Sequence, residues 1–190
     1  MAREPGKRKL QILQTLAEML EDPAGDRITT AALAARVDVS EAALYRHFAS
    51  KAQMYEGLIE FIEQTLFGLV NKITGEESAG TRQVTAMVTM LLGFATKNPG
   101  MTRVLIGDAL VYENDRLQQR INQLIDRLEA QIRQSLRFAV TQGELPADRD
   151  VAAQANLIVA YVIGRWHLFA KSRFKRSPQE HLDAQSALLL

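Results

Sequence analysis

The sequence predicts an all-α protein in two parts, a small reading head over residues 1–50 and a larger helical body over 51–190. Three observations carry that prediction. The stretch Ile28 to Lys51 reads as two short helices at an angle, followed at once by the start of a long one. Apolar residues then recur at helical spacing through the rest of the chain. Cap residues and Gly or Pro breakers punctuate those periodic segments.

Within the head, Thr29 or Thr30 offers a hydroxyl cap, and Leu33, Ala34 and Val37 are spaced for one buried face. Val39 and Ser40 break and restart the helix, with Ser40 as the second N-cap. Leu44 and Phe48 lie four apart and can pack onto Leu33 and Val37. That leaves Ala42, Ala43, Tyr45, Arg46 and His47 on the other faces, small residues mixed with hydrogen-bonding ones. A helix-turn-helix needs this division: an apolar side that fixes the interhelical angle, and a side small enough to enter a major groove. The residues therefore predict DNA binding.

Upstream, Arg3, Lys7, Arg8 and Lys9 stand against a single Glu4. Such a basic arm could lie along phosphate or reach into a minor groove; the same charges suit a solvated tail, and the adjacent helix-turn-helix favours DNA. A first amphipathic helix follows on Leu10, Leu13, Leu16, Ala17 and Leu20, ending near the breakers Asp22-Pro23 and Gly25. Its acidic end, Glu18, Glu21 and Asp22, is expected to point away from DNA, which lets a chain of net charge +1 bind phosphate.

Ser50-Lys51-Ala52-Gln53 has capping-box spacing and opens a long helix to about Thr74, followed by a loop over 74–80. Lys51 is poorly placed for the helix dipole but well placed to meet a phosphate. In the body, Thr81 to Lys97 predicts a helix, and Asn98-Pro99 predicts a cap and first-turn proline for a short one to about Ile106. Asp115 to Gln142 predicts a long helix with Leu117, Ile121, Leu124, Leu128, Ile132 and Leu136 on one face. A helix over Ala147 to Lys171 is apolar on two sides, so it needs two partners: the chain's own core and a second subunit. Ile158, Tyr161, Val162, Gly164 and Trp166 are its candidate dimer residues. Ser177-Pro178-Gln179-Glu180 predicts the start of a final helix.

Composition narrows the function. No cysteine means no disulfide framework and no thiolate site. The longest apolar stretch, Ala86 to Ala95, is too short to span a bilayer, and no signal peptide opens the chain, so a cytoplasmic protein is expected. His47, His167 and His181 lack partners at metal-ligand spacing, and no nucleophile elbow or phosphate-cradling Gly loop occurs. No cofactor, metal or catalytic residue is expected, and the chain does not read as an enzyme. The cluster Lys171, Arg173, Lys175, Arg176 could attract an acidic partner but suits a solvated inter-helix loop.

The sequence Val39-Ser40, Leu44-Tyr45-Arg46-His47-Phe48 and Lys51 resembles the hallmark of the TetR family of bacterial DNA-binding regulators. One departure is Asp38, where the family turn commonly has Gly; Asp tolerates a left-handed backbone better than most residues. The runs SEAALYRHF, LIEFIE and LLGFATKNPGMTRVL extend the resemblance to the nucleoid occlusion factors of that family, over most of the chain. The resemblance implies a nucleoid-associated homodimer on palindromic double-stranded DNA that antagonises assembly of the division protein FtsZ, holding its C-terminal tail in a groove beside the long helix. At matching positions Phe61, Gly93 and Asn98 stand as in relatives; Lys97 replaces Arg, Met90 replaces Leu, and Leu69 stands where a basic residue is expected. On the residues alone, Phe61 as core and Gly93 as helix packing is the simpler account. The competing function is a ligand-responsive TetR-type repressor, in which the body holds a small effector.

Overall fold

The computed structural model describes residues 5–22 and 28–190, and among these all regular structure is helical. Arg3 of the basic arm and the breakers Pro23 and Gly25 lie outside the described residues. The helices are α1 (Pro5–Met19), α2 (Thr30–Val37), α3 (Glu41–Tyr45), α4 (Lys51–Glu76), α5 (Gly80–Lys97), α6 (Pro99–Leu105), α7 (Asp115–Thr141), α8 (Val151–Lys171) and α9 (Leu182–Leu189), with a 3-10 turn at Asp108–Leu110. They form two compact units that interleave along the chain. The first takes the residues up to Ile62 and Asn98–Ile121; the second takes Glu63–Lys97 and Asn122–Leu190. The division thus falls elsewhere than at residue 50. Met54, Tyr55 and Leu58 at the start of α4 are buried with the head, and α6 packs on α1.

In the first unit, helix α1 begins at Pro5, so Lys7, Arg8 and Lys9 sit on its first turns rather than in an extended arm. Lys, Arg, Leu and Gln are good helix formers and carry the helix outward beyond its apolar stripe. That stripe is rotated from the expected one. Ile12, Leu16, Ala17 and Leu20 are buried, while Leu10 is exposed and Leu13 only half-buried. Beyond the helix end, Arg103 of α6 supplies donors for two of the last carbonyls. Its guanidinium donates to Leu20 O at 3.1 Å and Asp22 O at 3.0 Å, and to the Asp108 carboxylate at 2.6 Å. Helix α6 approaches α1 at Gly100, where an added Cβ would lie 2.0 Å from Ala17 O. The Asn98 side chain does not cap α6, contrary to the sequence expectation.

The second unit is built on α5 against α8. Trp166 is fully buried there, and its indole N–H donates to Leu91 O at 3.1 Å. Polar groups buried on α5 and α7 pair with one another, whereas Gln154 Oε1 on α8 has no partner among the described residues. The Ser135 hydroxyl donates to the Gln83 side-chain oxygen at 2.8 Å, and the Gln83 amide donates to Glu77 O at 2.8 Å. The loop expected over 74–80 shrinks to 77–79, because Gln142, just past α7, accepts from Gly80 N at 3.0 Å and donates to Ser78 O at 2.7 Å. Glu144 accepts from Thr81 N and the Thr81 hydroxyl, both at 2.8 Å. Those bonds hold its carboxyl below the ordinary glutamate range, with the Thr81 backbone bond the largest cause.

Helix α8 starts at Val151 rather than Ala147, because the Asp150 carboxylate caps it, accepting from Ala152 N at 3.1 Å and Ala153 N at 3.0 Å. Similarly, 177–181 is a turn and α9 begins only at Leu182. The Arg165 guanidinium takes the Ser177, Pro178 and Glu180 carbonyls at 2.8–3.0 Å and so holds that turn away from helix. No described helix is long and apolar enough to cross a membrane.

Two stability outcomes follow from these contacts. Gly100→Ala forces a methyl into backbone and is expected to cost about 1–3 kcal/mol, whereas Gly68→Ala, with nothing within 4 Å, gains about 0.5–1 kcal/mol. Urea unfolding of both variants checks the pair, and equal effects would remove the close α1–α6 approach as the cause. Glu144 has a lowered pKa in the folded state, so its contribution is present above the ordinary glutamate pKa and is lost as pH falls through the lower folded value. The stability gap between wild type and Glu144→Gln should therefore close in acid, which unfolding at a series of pH values reads directly.

Candidate DNA interface and partner surface

The head is built by two capped helices and one left-handed residue. The Thr29 hydroxyl oxygen accepts from Ala32 N at 3.1 Å and starts α2. The helix stops at Asp38, whose φ of 58° and ψ of 56° are left-handed, and whose N–H bonds back to Ala34 O and Ala35 O. The Asp-for-Gly departure is therefore accommodated at the position that demands it. Ser40 caps α3 by accepting from Ala43 N at 3.1 Å. Leu33, Val37, Leu44 and Phe48 are all buried, Leu44 completely, as their spacing predicts.

Helix α3 is short, five residues, so Arg46 and His47 stand just past its end. Ala42, Tyr45 and Arg46 are exposed, and Ala43 and His47 are half-buried. Arg46 meets no carboxylate among the described residues, which leaves its planar donors available to a guanine edge or a phosphate. The Ser50–Gln53 capping box forms on one side only, its return bond reaching one residue further back to Ala49. Gln53 N donates to the Ser50 hydroxyl oxygen at 3.2 Å, and the Gln53 side chain accepts from Ala49 N at 2.9 Å.

Four predicted DNA residues are engaged differently from expectation. The Thr30 hydroxyl donates to Glu41 at 2.8 Å, so its proton is committed within the protein. Thr29, by contrast, only accepts in its cap and keeps its O–H free to donate. Lys9 lies over the Phe48 ring at 5.7 Å, and Arg8 donates to the Gln11 side chain at 2.7 Å. Lys51 is the largest surprise. Its ammonium pairs with Glu113 and lies 5.6 Å from the centre of the Tyr55 ring, with the side chain only 20% exposed. Sequence reading missed Glu113 and Glu41, because pairings across 62 and 11 residues leave no local periodicity to read.

The six predicted partner residues divide between the units. Phe61 and Asn98 belong to the first and are half-buried. Leu69, Met90, Gly93 and Lys97 belong to the second; Leu69 and Lys97 are exposed, and Met90 and Gly93 half-buried. A Cβ on Gly93 would meet the Gln179 amide at 3.6 Å. Three of the five predicted dimer residues need correction. Ile158, Val162 and Trp166 are at most 2% exposed and belong to the chain's own core. Their face of α8 packs inward, and the open face carries Leu157, Gly164 and Leu168, with Tyr161 half-buried and bonded to Gln185 at 2.7 Å.

A capped helix-turn-helix with an exposed arginine, joined to a helical body, defines a DNA-binding regulator. Comparison with known proteins agrees. Residues 12–58 match the model of bacterial regulatory proteins of the tetR family, and residues 80–190 match that of the tetracyclin repressor-like C-terminal domain of SlmA-like type. The nucleoid occlusion factor SlmA of Alteromonas mediterranea is 52% identical over 95% of this chain and 92% of its own. That of a Marinomonas species is 51% identical over 100% and 96%. A TetR family transcriptional regulator, PfmR of Thermus thermophilus, shares the fold with a TM-score of 0.77 at 22% identity, over 94% of this chain and 96% of that one. The chain belongs to the TetR family, among its SlmA nucleoid occlusion factors.

The second cap offers a direct check on the head. Ser40→Ala removes the hydroxyl that starts α3 and is expected to cost about 1 kcal/mol of stability. DNA affinity should fall while the helical content of the body persists. Thermal unfolding and DNA titration of the same sample measure the two effects.

Proposed function

We propose that the chain binds palindromic double-stranded DNA as a homodimer and, so bound, blocks FtsZ assembly over the nucleoid, acting in the cytoplasm without enzymatic chemistry. The observation that carries this reading is the extent of the likeness. About half the residues match nucleoid occlusion factors across both parts of the chain, including the body that distinguishes one TetR-type regulator from another. One head makes few base contacts, and two related by a two-fold axis would read half-sites about one helical turn apart. The open face of α8 supports a second copy: Leu157 and Leu168 are 56% and 41% exposed, and the exposed Gly164 permits close approach.

In this reading Arg46 contacts a base or a phosphate, with Ala42, Ala43, Tyr45, His47 and Thr29 around it and Lys7, Arg8 and Lys9 near the backbone. The FtsZ tail would engage Phe61, Met90, Gly93, Lys97 and Asn98, with Leu69 giving an apolar contact in place of a charged one. Phe61→Ala is expected to lose about thirtyfold in affinity for an FtsZ tail peptide while keeping DNA binding and fold. Sedimentation of FtsZ polymers with the wild-type chain, with and without a duplex it has selected from a random pool, tests the function. Polymer loss that depends on DNA supports it. Unaffected polymers, together with a small molecule that releases the DNA, would instead establish the ligand-responsive repressor.

A further inference from the structure

Lys51 is the first residue of α4 and follows the exposed Arg46 by five positions, so it sits at the edge of the DNA-reading surface. A free lysine there would neutralise a phosphate. It is not free. Its ammonium is paired with Glu113, whose side chain is only 8% exposed, and it lies against the Tyr55 ring. A lysine in the first turn of a helix also faces the positive end of the dipole, and Glu113 offsets that cost. One ammonium thus has two claimants, a half-enclosed carboxylate inside the protein and a phosphate outside it.

We propose that Glu113 sets the DNA affinity of the head by competing with phosphate for Lys51, so that binding DNA releases the turn Leu110–Asn114 from Lys51. The start of this loop is held separately, because Arg103 binds the Asp108 carboxylate at 2.6 Å. Leu110 is buried, but Val111 and Tyr112 are 68% and 75% exposed, and the Glu113 N–H donates to Leu110 O within the same turn. Loss of the pair with Lys51 removes one tie from a turn whose Val111 and Tyr112 side chains are largely exposed. The contact lies entirely within the first unit. The inference rests on the reading of that unit as DNA-binding and not on any FtsZ contact.

The test uses the full chain and two labelled duplexes, one selected by the wild type from a random pool and one scrambled. Anisotropy titrations are run at several salt concentrations. Glu113→Gln should tighten both duplexes about threefold to eightfold near 0.1 M salt, because Lys51 no longer has to leave a carboxylate, and should leave the logarithmic salt slope as in the wild type, because Lys51 meets phosphate in both complexes. In a Lys51→Gln background the same change should have no effect. Weaker binding by Glu113→Gln would mean that Glu113 aligns Lys51 for phosphate, and would overturn competition, as would an unchanged affinity. Amide exchange on the wild type gives a readout free of mutant folding: the Leu110 and Glu113 amides should exchange faster when DNA is bound. Unchanged or slower exchange overturns the release. If the wild type binds neither duplex, the DNA reading of the head falls first and takes this inference with it.

Discussion

Everything the head presents to DNA depends on how Leu44 is held. It is fully buried, with Leu33, Val37 and Phe48 buried around it, and this small cluster fixes the angle between α2 and α3. The two helices are eight and five residues long, far too short to persist alone in water. Their stability comes from this packing and from caps at both starts. Removing any buried side chain here would change not only stability but also the direction in which Tyr45 and Arg46 project. The left-handed Asp38 contributes in the same way, because a turn closing at another angle would separate the four apolar residues. Geometry at the reading surface is thus a consequence of apolar packing several ångströms behind it.

Charge is handled locally rather than globally. A net charge of +1 gives the chain no broad attraction for DNA, so the useful cations must be few and uncommitted. Several cations are committed internally instead. Arg103 closes the end of α1, Arg165 fixes the turn before α9, and Arg127 lies 4.0 Å from the centre of the Phe67 ring and pairs with Glu63. Arg46 is exposed with no carboxylate beside it among the described residues, as is Arg36 at the end of α2. The helix sets Lys7, Arg8 and Lys9 about 100° apart around α1, so they do not share one face, and Lys9 already lies over the Phe48 ring.

The sequence made the periodic and capped elements legible, because their causes are local. Ser40, Ser50 and the heptad-like face of α7 act within a turn or two of themselves, and each appears where the spacing puts it. Long-range polar contacts were not legible. Gln142 shortens the loop before α5, Arg165 delays α9, and Glu113 takes Lys51, each across a separation that no pattern records. The start of α8 is a different failure. Ala147 is an adequate helix former, but Asp150 is a stronger cap, and the capped register prevails. Likewise the rotation of the α1 stripe turns on Ile12 competing with Leu13, a choice that only the packing of α1 on α2 and α6 decides.

Helix α8 shows how far amphipathicity can mislead about an interface. The sequence identified two apolar faces, and both exist, but the larger residues went to the interior. Trp166 needs a hydrogen-bond partner when buried and finds one in Leu91 O, which only the inward face can offer. Truncating it would cost on the order of 3–5 kcal/mol in the chain itself, so it cannot report on association. What remains outward is sparse: Leu157, half of Tyr161, Gly164 and Leu168, with Leu188 of α9 84% exposed. The Tyr161–Gln185 bond joins the two helices that carry these residues, so a second subunit would dock on a surface whose parts are already fixed together. Such a surface needs close approach more than bulk, and Gly164, with nothing within 4 Å of its missing side chain, provides the room.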